Sequence, residues 1–301
     1  MNKMIMNRLT MLAVTLMASM ACFAQGKFDK GLVTSIGTGK ALYAIFDYQE
    51  LRYRILKENW VDEPRGLEGY EVEIIGFASQ ISGADGNPDY ISNSSIDNEI
   101  GYDNKITIGH VITKEVAGVD VHVVAVAPNA FTSTTCYNDD AANKSKFAEA
   151  AAKVKTIKFD FNPGINDKFA DLSVPTIGAN AFAGLTSLEN VNCYSPVAST
   201  ASSSIFDEDV YYDAELYLPE GDGVAQSYSK QLGWRQFLIK YIGEDLMGDA
   251  DSDDEITGAD ISYIKDLYMD DDCEEMFDFD GDEVITGSDI SFLRKIYNTL
   301  F

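Results

Sequence analysis

Residues 249–260 read DADSDDEITGAD, and residues 278–289 repeat the pattern as DFDGDEVITGSD. Each segment places oxygen-bearing side chains at loop positions 1, 3, 5, 9 and 12, and position 7 adds a backbone carbonyl. A hard cation of the size of calcium takes about 6–8 oxygen ligands. The sequence therefore predicts two Ca2+ ions, with the ligands Asp249, Asp251, Asp253, Glu255, Thr257 and Asp260 in the first loop and Asp278, Asp280, Asp282, Val284, Thr286 and Asp289 in the second.

The repeated spacing distinguishes these loops from an ordinary acidic tail. Runs of like charge are usually solvated and disordered, and two surface carboxylates about 4 Å apart repel by roughly 4 kcal/mol. Both copies nevertheless share Ile-Thr-Gly-x-Asp-Ile-Ser, and cation binding would supply folding free energy to such a segment. Two features depart from the EF-hand pattern: position 6 is Asp254 or Glu283 instead of glycine, and position 12 is aspartate instead of the longer glutamate.

A helical period follows each loop. The recurring apolar positions predict one buried face per helix, formed by Ile261, Ile264 and Tyr268 in the first copy and by Ile290, Leu293 and Tyr297 in the second. The apolar residue at loop position 8, Ile256 or Ile285, is expected to form a short β contact between the two loops.

This order of loop, helix, spacer, loop and helix over residues 246–301 resembles a type I dockerin domain. The resemblance implies a small all-α domain with paired EF-hand-type calcium loops that plugs into a cohesin-like module on a scaffold or cell surface. It also implies partner contacts on the exposed helical positions, although an ordinary solvated helix face explains them equally well. The two copies differ here, which argues against a symmetric dual binding mode; the positions are Lys265, Asp266, Arg294 and Lys295.

The negative charge of the chain is concentrated in this tail. The 301 residues carry a net charge of −26, and residues 244–301 alone hold 19 acidic and 3 basic residues. The charge is therefore local and suited to cations, and nucleic acid or an anionic membrane is a poor partner.

The first 24 residues have the pattern of a signal peptide. Lys3 and Arg8 precede an apolar stretch, residues 9–21, that is too short to span a bilayer, and Ala24 offers a cleavage position. A lipoprotein with an acylated Cys22 is the alternative. The sequence thus predicts a secreted or cell-surface protein with no transmembrane segment in the mature chain.

A fainter repeat lies in the middle of the chain. Residues 126–131, VAPNAF, recur as residues 177–182, IGANAF, and an apolar alternation follows each copy, at residues 154–159 and 188–193. A repeated short strand, turn and buried phenylalanine is typical of a solenoid, in which each unit buries its apolar face on a neighbour. Further strands are predicted upstream at Ala41–Tyr48, Arg52–Lys57, Tyr70–Phe77, Lys105–Val111 and Val119–Val126.

Residues 176–191, TIGANAFAGLTSLENV, resemble the leucine-rich repeat of BspA-like surface proteins. The following stretch is similar to the closing cap of those proteins, with a strand that ends at Pro219 and a helix that brings Tyr228, Trp234 and Phe237 onto the core. The predicted fold class is therefore α+β: a short leucine-rich-repeat-like β-rich solenoid over residues 25–243, followed by the dockerin-like domain over residues 244–301.

Catalytic chemistry finds little support in the sequence. The two histidines, His110 and His122, sit in predicted strands among apolar residues, where a structural histidine is the commoner case, and the chain has no nucleophile elbow, P-loop or zinc motif. The protein is predicted not to be an enzyme. Three readings remain open: a calcium-dependent docking protein, an adhesin that binds host or matrix protein with the tail as a structural clip, and a glycan-degrading enzyme or accessory subunit that carries a dockerin and has polysaccharide as an indirect partner.

Overall fold

The structure is a computed structural model that describes residues 45–48, 51–63, 66–77, 81–82, 88–89, 105–112, 120–132, 151–161, 172–268 and 275–300. The predicted signal peptide over residues 1–24, with the candidate lipid site at Cys22, lies outside the described residues. The described part is mixed α/β and mostly β, with several sheets and five α-helices.

The strands are, in chain order, β1 Ile45–Tyr48, β2 Leu51–Asp62, β3 Leu67–Phe77, β4 Ile81–Ser82, β5 Pro88–Asp89, β6 Lys105–Gly109, β7 Val111–Ile112, β8 Asp120–Val126, β9 Thr156–Asp160, β10 Thr176–Ile177, β11 Asn190–Cys193, β12 Glu215–Leu218, β13 Ile239–Ile242 and β14 Asp245–Leu246. The helices are α1 Glu208–Asp213, α2 Val224–Ser229, α3 Leu232–Arg235, α4 Gly258–Asp266 and α5 Gly287–Leu300, with a 3-10 turn at Glu275–Phe277. All five of the upstream strand predictions overlap an observed strand, although His110 lies in the bend between β6 and β7 and not within a strand.

Two larger sheets carry the β structure. One sheet has the order β1-β2-β3-β8-β10, with β7 paired to β8, and the other has the order β14-β13-β12-β11-β9-β6. In the second sheet β6, β9, β11, β12 and β13 are all parallel, and only β14 runs antiparallel. Parallel strands need long crossover connections, and these are the segments that carry the helices and the turn of each repeat.

The register of the parallel sheet aligns one inward row of side chains. The row contains four aliphatic residues and ends on a lysine: Ile106, Ile157, Val191, Leu216 and Lys240. All five side chains are buried, and Lys240 is 2% exposed. The last of the parallel strands, β13, therefore places an amine where the other four place hydrocarbon.

The repeated phenylalanines stack on one another beside this sheet. The ring of Phe182 lies 5.4 Å from that of Phe131 and 5.2 Å from that of Phe206, both in stacked geometry. Asn129 and Asn180 adopt the same left-handed backbone, with φ of 56° and 54°. Asparagine tolerates this conformation better than most residues, and it produces the tight turn before each buried ring.

The backbone follows the same stacking. Phe131 N donates to Ala181 O at 2.8 Å, and Phe182 N donates to Ile205 O at 2.8 Å. The sequence motif identified the first two units, and the third, at residues 204–206, lacks the Asn-Ala pair that made them visible.

The aromatic residues downstream of the repeats close the core as expected. Tyr228, Trp234 and Phe237 are 3% exposed or less, and Trp234 Nε1 donates to Ser199 O at 2.9 Å. They sit on the short helices α2 and α3 and just after them, instead of on one amphipathic helix. Residues 208–242, which comprise α1, β12, α2, α3 and β13, are called the cap below.

Candidate metal centre

The first acidic loop brings three carboxylates together. Oxygen atoms of Asp249, Asp251 and Asp260 all lie within 4.8 Å of one another, although these residues come from both ends of the loop. The loop closes because the Asp249 carboxylate accepts hydrogen bonds from the backbone N–H groups of Asp253, at 3.2 Å, and Asp254, at 2.8 Å. The Asp249 carboxylate, at loop position 1, thus holds the backbone of the following residues in a turn.

Left-handed residues complete the turn of this loop. Ser252 has φ of 58° and Asp254 has φ of 64°, a conformation that side-chain-bearing residues adopt at a cost. In the EF-hand pattern the sharp turn at position 6 belongs to glycine. Asp254 therefore adopts at position 6 a backbone conformation that glycine would adopt at a lower cost.

The end of the first loop is also the start of α4. The Thr257 side chain accepts a hydrogen bond from the backbone N–H of Ala259, and the Asp260 carboxylate accepts one from the backbone N–H of Thr257, which together make a capping box. A capping box satisfies N–H groups that have no partner within the helix. Thr257 and Asp260 therefore fix the direction of the helix relative to the loop.

The second loop repeats this arrangement. Oxygen atoms of Asp278, Asp280 and Asp282 lie within 4.8 Å of one another. The Asp278 carboxylate accepts hydrogen bonds from Gly281 N at 2.7 Å and from Glu283 N at 2.9 Å, and φ is 75° at Gly281 and 69° at Glu283. The two loops thus reach the same backbone shape with different residues at positions 4 and 6.

A hard divalent cation fits both clusters. Their converging donors are carboxylate oxygens only, which suits calcium better than a metal that prefers nitrogen or sulfur. Asp280 Oδ1 is buried and has no hydrogen-bond partner among the described residues, whereas Asp280 Oδ2 accepts from Ser288 Oγ at 2.6 Å. Such an unsatisfied carboxylate oxygen costs free energy, and a cation would remove that cost.

The electrostatics of the first loop agree with this interpretation. The pKa of Asp251 lies above its ordinary value, because of desolvation and because of the negative charges of Asp253, Asp260 and Asp249. A cation among these groups would reverse the repulsion.

The other predicted ligands lie at the loops but outside the two closest clusters. Asp253 is exposed, and Thr286 and Asp289 stand at the start of α5 as Thr257 and Asp260 stand at the start of α4. Glu255 and Val284, predicted to ligate through the backbone, are exposed. Their assignment to calcium stays a prediction.

The two loops differ in depth. The pKa of Asp260 is lowered, because hydrogen bonds from Thr257 and Ala250 outweigh the effect of burial. The pKa of the equivalent Asp289 is raised, because burial outweighs the hydrogen bonds from Thr286 and Phe279. Asp278 is also fully buried, whereas the equivalent Asp249 is partly exposed. The second loop therefore lies further inside the protein than the first.

Two details of the helix prediction are wrong. Tyr268 and Tyr297 are 53% and 37% exposed, and the buried face of α5 is formed by Leu293 and Ile296, at 0% and 1%. The helix α4 ends at Asp266, two residues before Tyr268. Ile261 and Ile264 are buried as expected, and Ile290 is partly buried.

The expected β contact between the loops is also absent. Neither Ile256 nor Ile285 carries strand pairing in this described segment. Both side chains are buried, at 2% and 0% exposure, in a cluster with Leu293 and Ile296. The apolar side chains at loop position 8 therefore contribute to the hydrophobic core and not to a β-ladder.

The predicted partner-binding residues are all exposed: Lys265 and Asp266 on α4, and Arg294 and Lys295 on α5. They are not equivalent, because Lys295 Nζ lies 4.8 Å from the ring centre of Tyr212 in the cap. Their role in partner binding stays a prediction.

Residues on both sides of the predicted domain boundary share one cluster. Leu238 and Ala225 from the cap pack with Leu246 and Met247 and with apolar residues of both loop-helix units. The strand β14, after the boundary at 243/244, pairs with β13, before it. The boundary itself stays a prediction.

Sequence reasoning missed the residues that join the tail to the cap. Lys240 Nζ lies 4.7 Å from the ring centre of Phe292 and 5.7 Å from that of Phe279, and Lys230 Nζ lies 2.8 Å from Glu283 Oε1. In sequence Lys240 stands in Ile-Lys-Tyr-Ile, where alternation suggests a solvated side chain.

The histidines and the described cysteine are core residues. The rings of His110 and His122 lie 6.2 Å apart, and burial lowers the pKa of both. Cys193 is buried, and burial raises the pKa of its thiol. A thiol with a raised pKa is a poor nucleophile.

No family model, no curated protein and no solved structure matches this chain. Among the described residues, no helix has the length and apolar character that a membrane crossing requires.

Proposed function

We propose that this chain is an exported binding protein whose C-terminal loops take up two calcium ions and dock it onto a protein partner. The observation that carries the proposal is the pair of loops with the same backbone shape and converging aspartates. One of these aspartates, Asp280, keeps a buried carboxylate oxygen that has no hydrogen-bond partner in the described part of the chain. The resemblance to dockerins supplies the docking role and a cohesin-like module as the partner class. The repeat-like sheet domain would recognise a ligand. The protein would act by binding and not by catalysing a reaction.

The calcium ions would act by organising the loops. Each ion offsets the repulsion among its carboxylates, and the free energy of binding becomes folding free energy for the loop and its helix. The ordered helices then bury Ile264 and Leu293, which are 0% exposed, in one seam. The outer face of α4, with Tyr263 at 43% exposure beside Lys265, remains open to a partner.

Calcium titration of the chain without its predicted signal peptide tests the first half of the proposal. Two ions are expected to bind, with a gain in helicity measured by circular dichroism. Asp251→Ala combined with Asp280→Ala should abolish both, because it removes a converging carboxylate from each cluster. Asp209→Ala combined with Asp222→Ala makes the same charge change at exposed acids outside the loops, and it should bind two ions. Unchanged calcium-induced helicity in the loop variant would refute the ligand assignment.

A pull-down tests the docking half. The same chain serves as bait for the exported proteins of its own cell, with calcium or with chelator. A partner is expected only with calcium, lost with the double loop variant and retained with the Asp209/Asp222 control. Tyr263→Ala should weaken its capture without changing calcium uptake. Capture that is equal in chelator would assign recognition to the sheet domain and leave the tail as a structural clip.

A further inference from the structure

The two loop-helix units are alike in sequence but differ in what they touch. The second unit, residues 278–300, faces the cap, and the positions through which it does so are the positions at which the two copies differ in sequence.

The loop of the second unit sits directly on the cap. A side chain at Gly281 would place its Cβ 2.9 Å from Lys230 N, closer than real contacts allow. The equivalent residue of the first loop is Ser252, which is exposed. Glu283 Oε1 lies 2.8 Å from Lys230 Nζ, whereas the side chain of the equivalent Asp254 is one methylene shorter.

The aromatic residues show the same difference. Phe279 is 1% exposed and stacks on Phe292 with ring centres 5.1 Å apart, and Lys240 of the cap lies over both rings. The equivalent residues of the first unit are Ala250, which has no ring, and Tyr263, which is 43% exposed.

The helices add a third difference. Lys295 of α5 lies over the ring of Tyr212, and its equivalent on α4 is the exposed Asp266. The first unit shares the apolar cluster with Leu238 of the cap through Ile256 and Ile264, and the charge of Asp254 contributes, after burial and Glu215, to the raised pKa of Tyr241.

We propose that the second loop-helix unit is an intramolecular clamp, through which a cation at Asp278, Asp280 and Asp282 stabilises the cap of the sheet domain. The cation in the first loop orders α4 and contributes little to the cap. The proposal rests on the calcium binding proposed above and gives the two sites different tasks. A ligand that binds only the folded state raises the stability of whatever unfolds together with its site. Because Phe279 stands between Asp278 and Asp280, ordering of the second loop seats the ring that covers Lys240.

Trp234 provides a specific reporter for the cap, since it is 1% exposed there. The chain has two tryptophans, so the full chain without its predicted signal peptide is used in a Trp60→Phe background. Thermal unfolding is followed by tryptophan fluorescence with calcium and with chelator, and calcium uptake is measured separately by calorimetry. Saturating calcium is expected to raise the midpoint of the Trp234 transition by about 5–10 °C. Asp280→Ala should abolish this shift, and Asp251→Ala should leave most of it.

A pair of exchanges between the copies tests the contact without altering a predicted ligand. Gly281→Ser introduces the residue that the first loop carries at the same position, where φ is 58°. That loop shows that serine adopts the required backbone, so the effect reports the contact with Lys230. Gly281→Ser should reduce the calcium-induced shift of the Trp234 transition while two ions still bind. The reverse exchange, Ser252→Gly, should leave the shift unchanged.

The outcomes separate the clamp from the calcium proposal. Uptake of two ions with no shift of the Trp234 transition, or an equal loss of the shift in Asp280→Ala and Asp251→Ala, would overturn the clamp and leave calcium binding intact. Absence of calcium uptake in the calorimeter would overturn the proposed function and the clamp together.

Discussion

Phe182→Ala is expected to lower the free energy of unfolding by about 3–5 kcal/mol, the usual loss when a buried phenylalanine becomes alanine. Phe182 is 0% exposed, and its ring lies between those of Phe131 and Phe206. The ring of Phe159 packs against it in T-shaped geometry, with ring centres 5.3 Å apart. The cavity would therefore open in the middle of the stack and remove contacts from three neighbouring rings. Such a loss is a large part of the total stability of an ordinary protein, about 5–15 kcal/mol.

Urea denaturation followed by tryptophan fluorescence measures this loss. Phe182→Leu keeps most of the side-chain volume and should cost much less than the alanine variant. Val197→Ala is the surface control, because Val197 is 57% exposed, and it should change stability by less than about 0.5 kcal/mol. If Phe182→Ala lowers the free energy of unfolding by less than about 1 kcal/mol, the stacked ring of Phe182 is not a main contributor to stability.

Lys240→Met should stabilise the folded protein by several kcal/mol at neutral pH. The Lys240 side chain is 2% exposed, and its amine has no hydrogen-bond partner among the described residues. Burial, and then the charge of Arg235, lower the pKa of Lys240 from 10.5 to about 7. Contact with the rings of Phe279 and Phe292 offsets only part of this desolvation, and methionine fills a similar volume without a charge.

The pH dependence of stability provides the sharper measurement. Between about pH 7 and pH 10.5 the unfolded chain holds a proton on Lys240 that the folded chain has released. Stability of the wild-type chain should therefore rise with pH across this window, and below about pH 7 the destabilisation should be fully present. The rise should disappear in Lys240→Met and persist in Lys265→Met, which changes an exposed lysine. The same slope in all three proteins would show that Lys240 is not the group responsible.

Much of the fold could be predicted from local patterns. The alternation at residues 154–159 and 188–193 located β9 and β11, and the Asn-Ala-Phe motif located two of the stacked rings. Both signals depend only on neighbouring residues. In a strand that is buried on one face, apolar and polar side chains alternate along the chain, and a turn with left-handed backbone favours asparagine. The third ring, Phe206, escaped because its turn lacks that asparagine.

The converging carboxylates of the loops could also be predicted, and for the same reason. In the second loop the aspartates at positions 1, 3 and 5 lie within five residues, so their spacing alone brings them together, whereas in the first loop the cluster also needs Asp260, which returns at position 12 when the loop closes. What the sequence did not predict is which unit faces the cap. That depends on Lys230 and Lys240, which are far from the loops in the chain and have ordinary surface-like neighbours in sequence.

The error at Tyr268 and Tyr297 has a physical cause. Helical periodicity identifies the buried face of a helix but not the edges of that face. Tyr268 and Tyr297 lie at such an edge, where the periodicity alone does not distinguish a buried side chain from an exposed one. In α5 the seam passes through Ile296 instead, one position earlier, and Tyr297 is left at the margin.

The cluster that crosses position 243 limits how this protein can be cut and recombined. A tail excised at residue 244 and joined to a foreign carrier would leave behind Leu238, which covers Leu246 and Met247, and the β13 partner of β14. The graft would expose Phe279 and adjacent hydrocarbon to water and invite self-association. A cut before α1 would not help, because β12 pairs with β11 and because Trp234 and Phe237 belong to the core of the sheet domain. The acidic tail should therefore be transplanted together with the sheet domain.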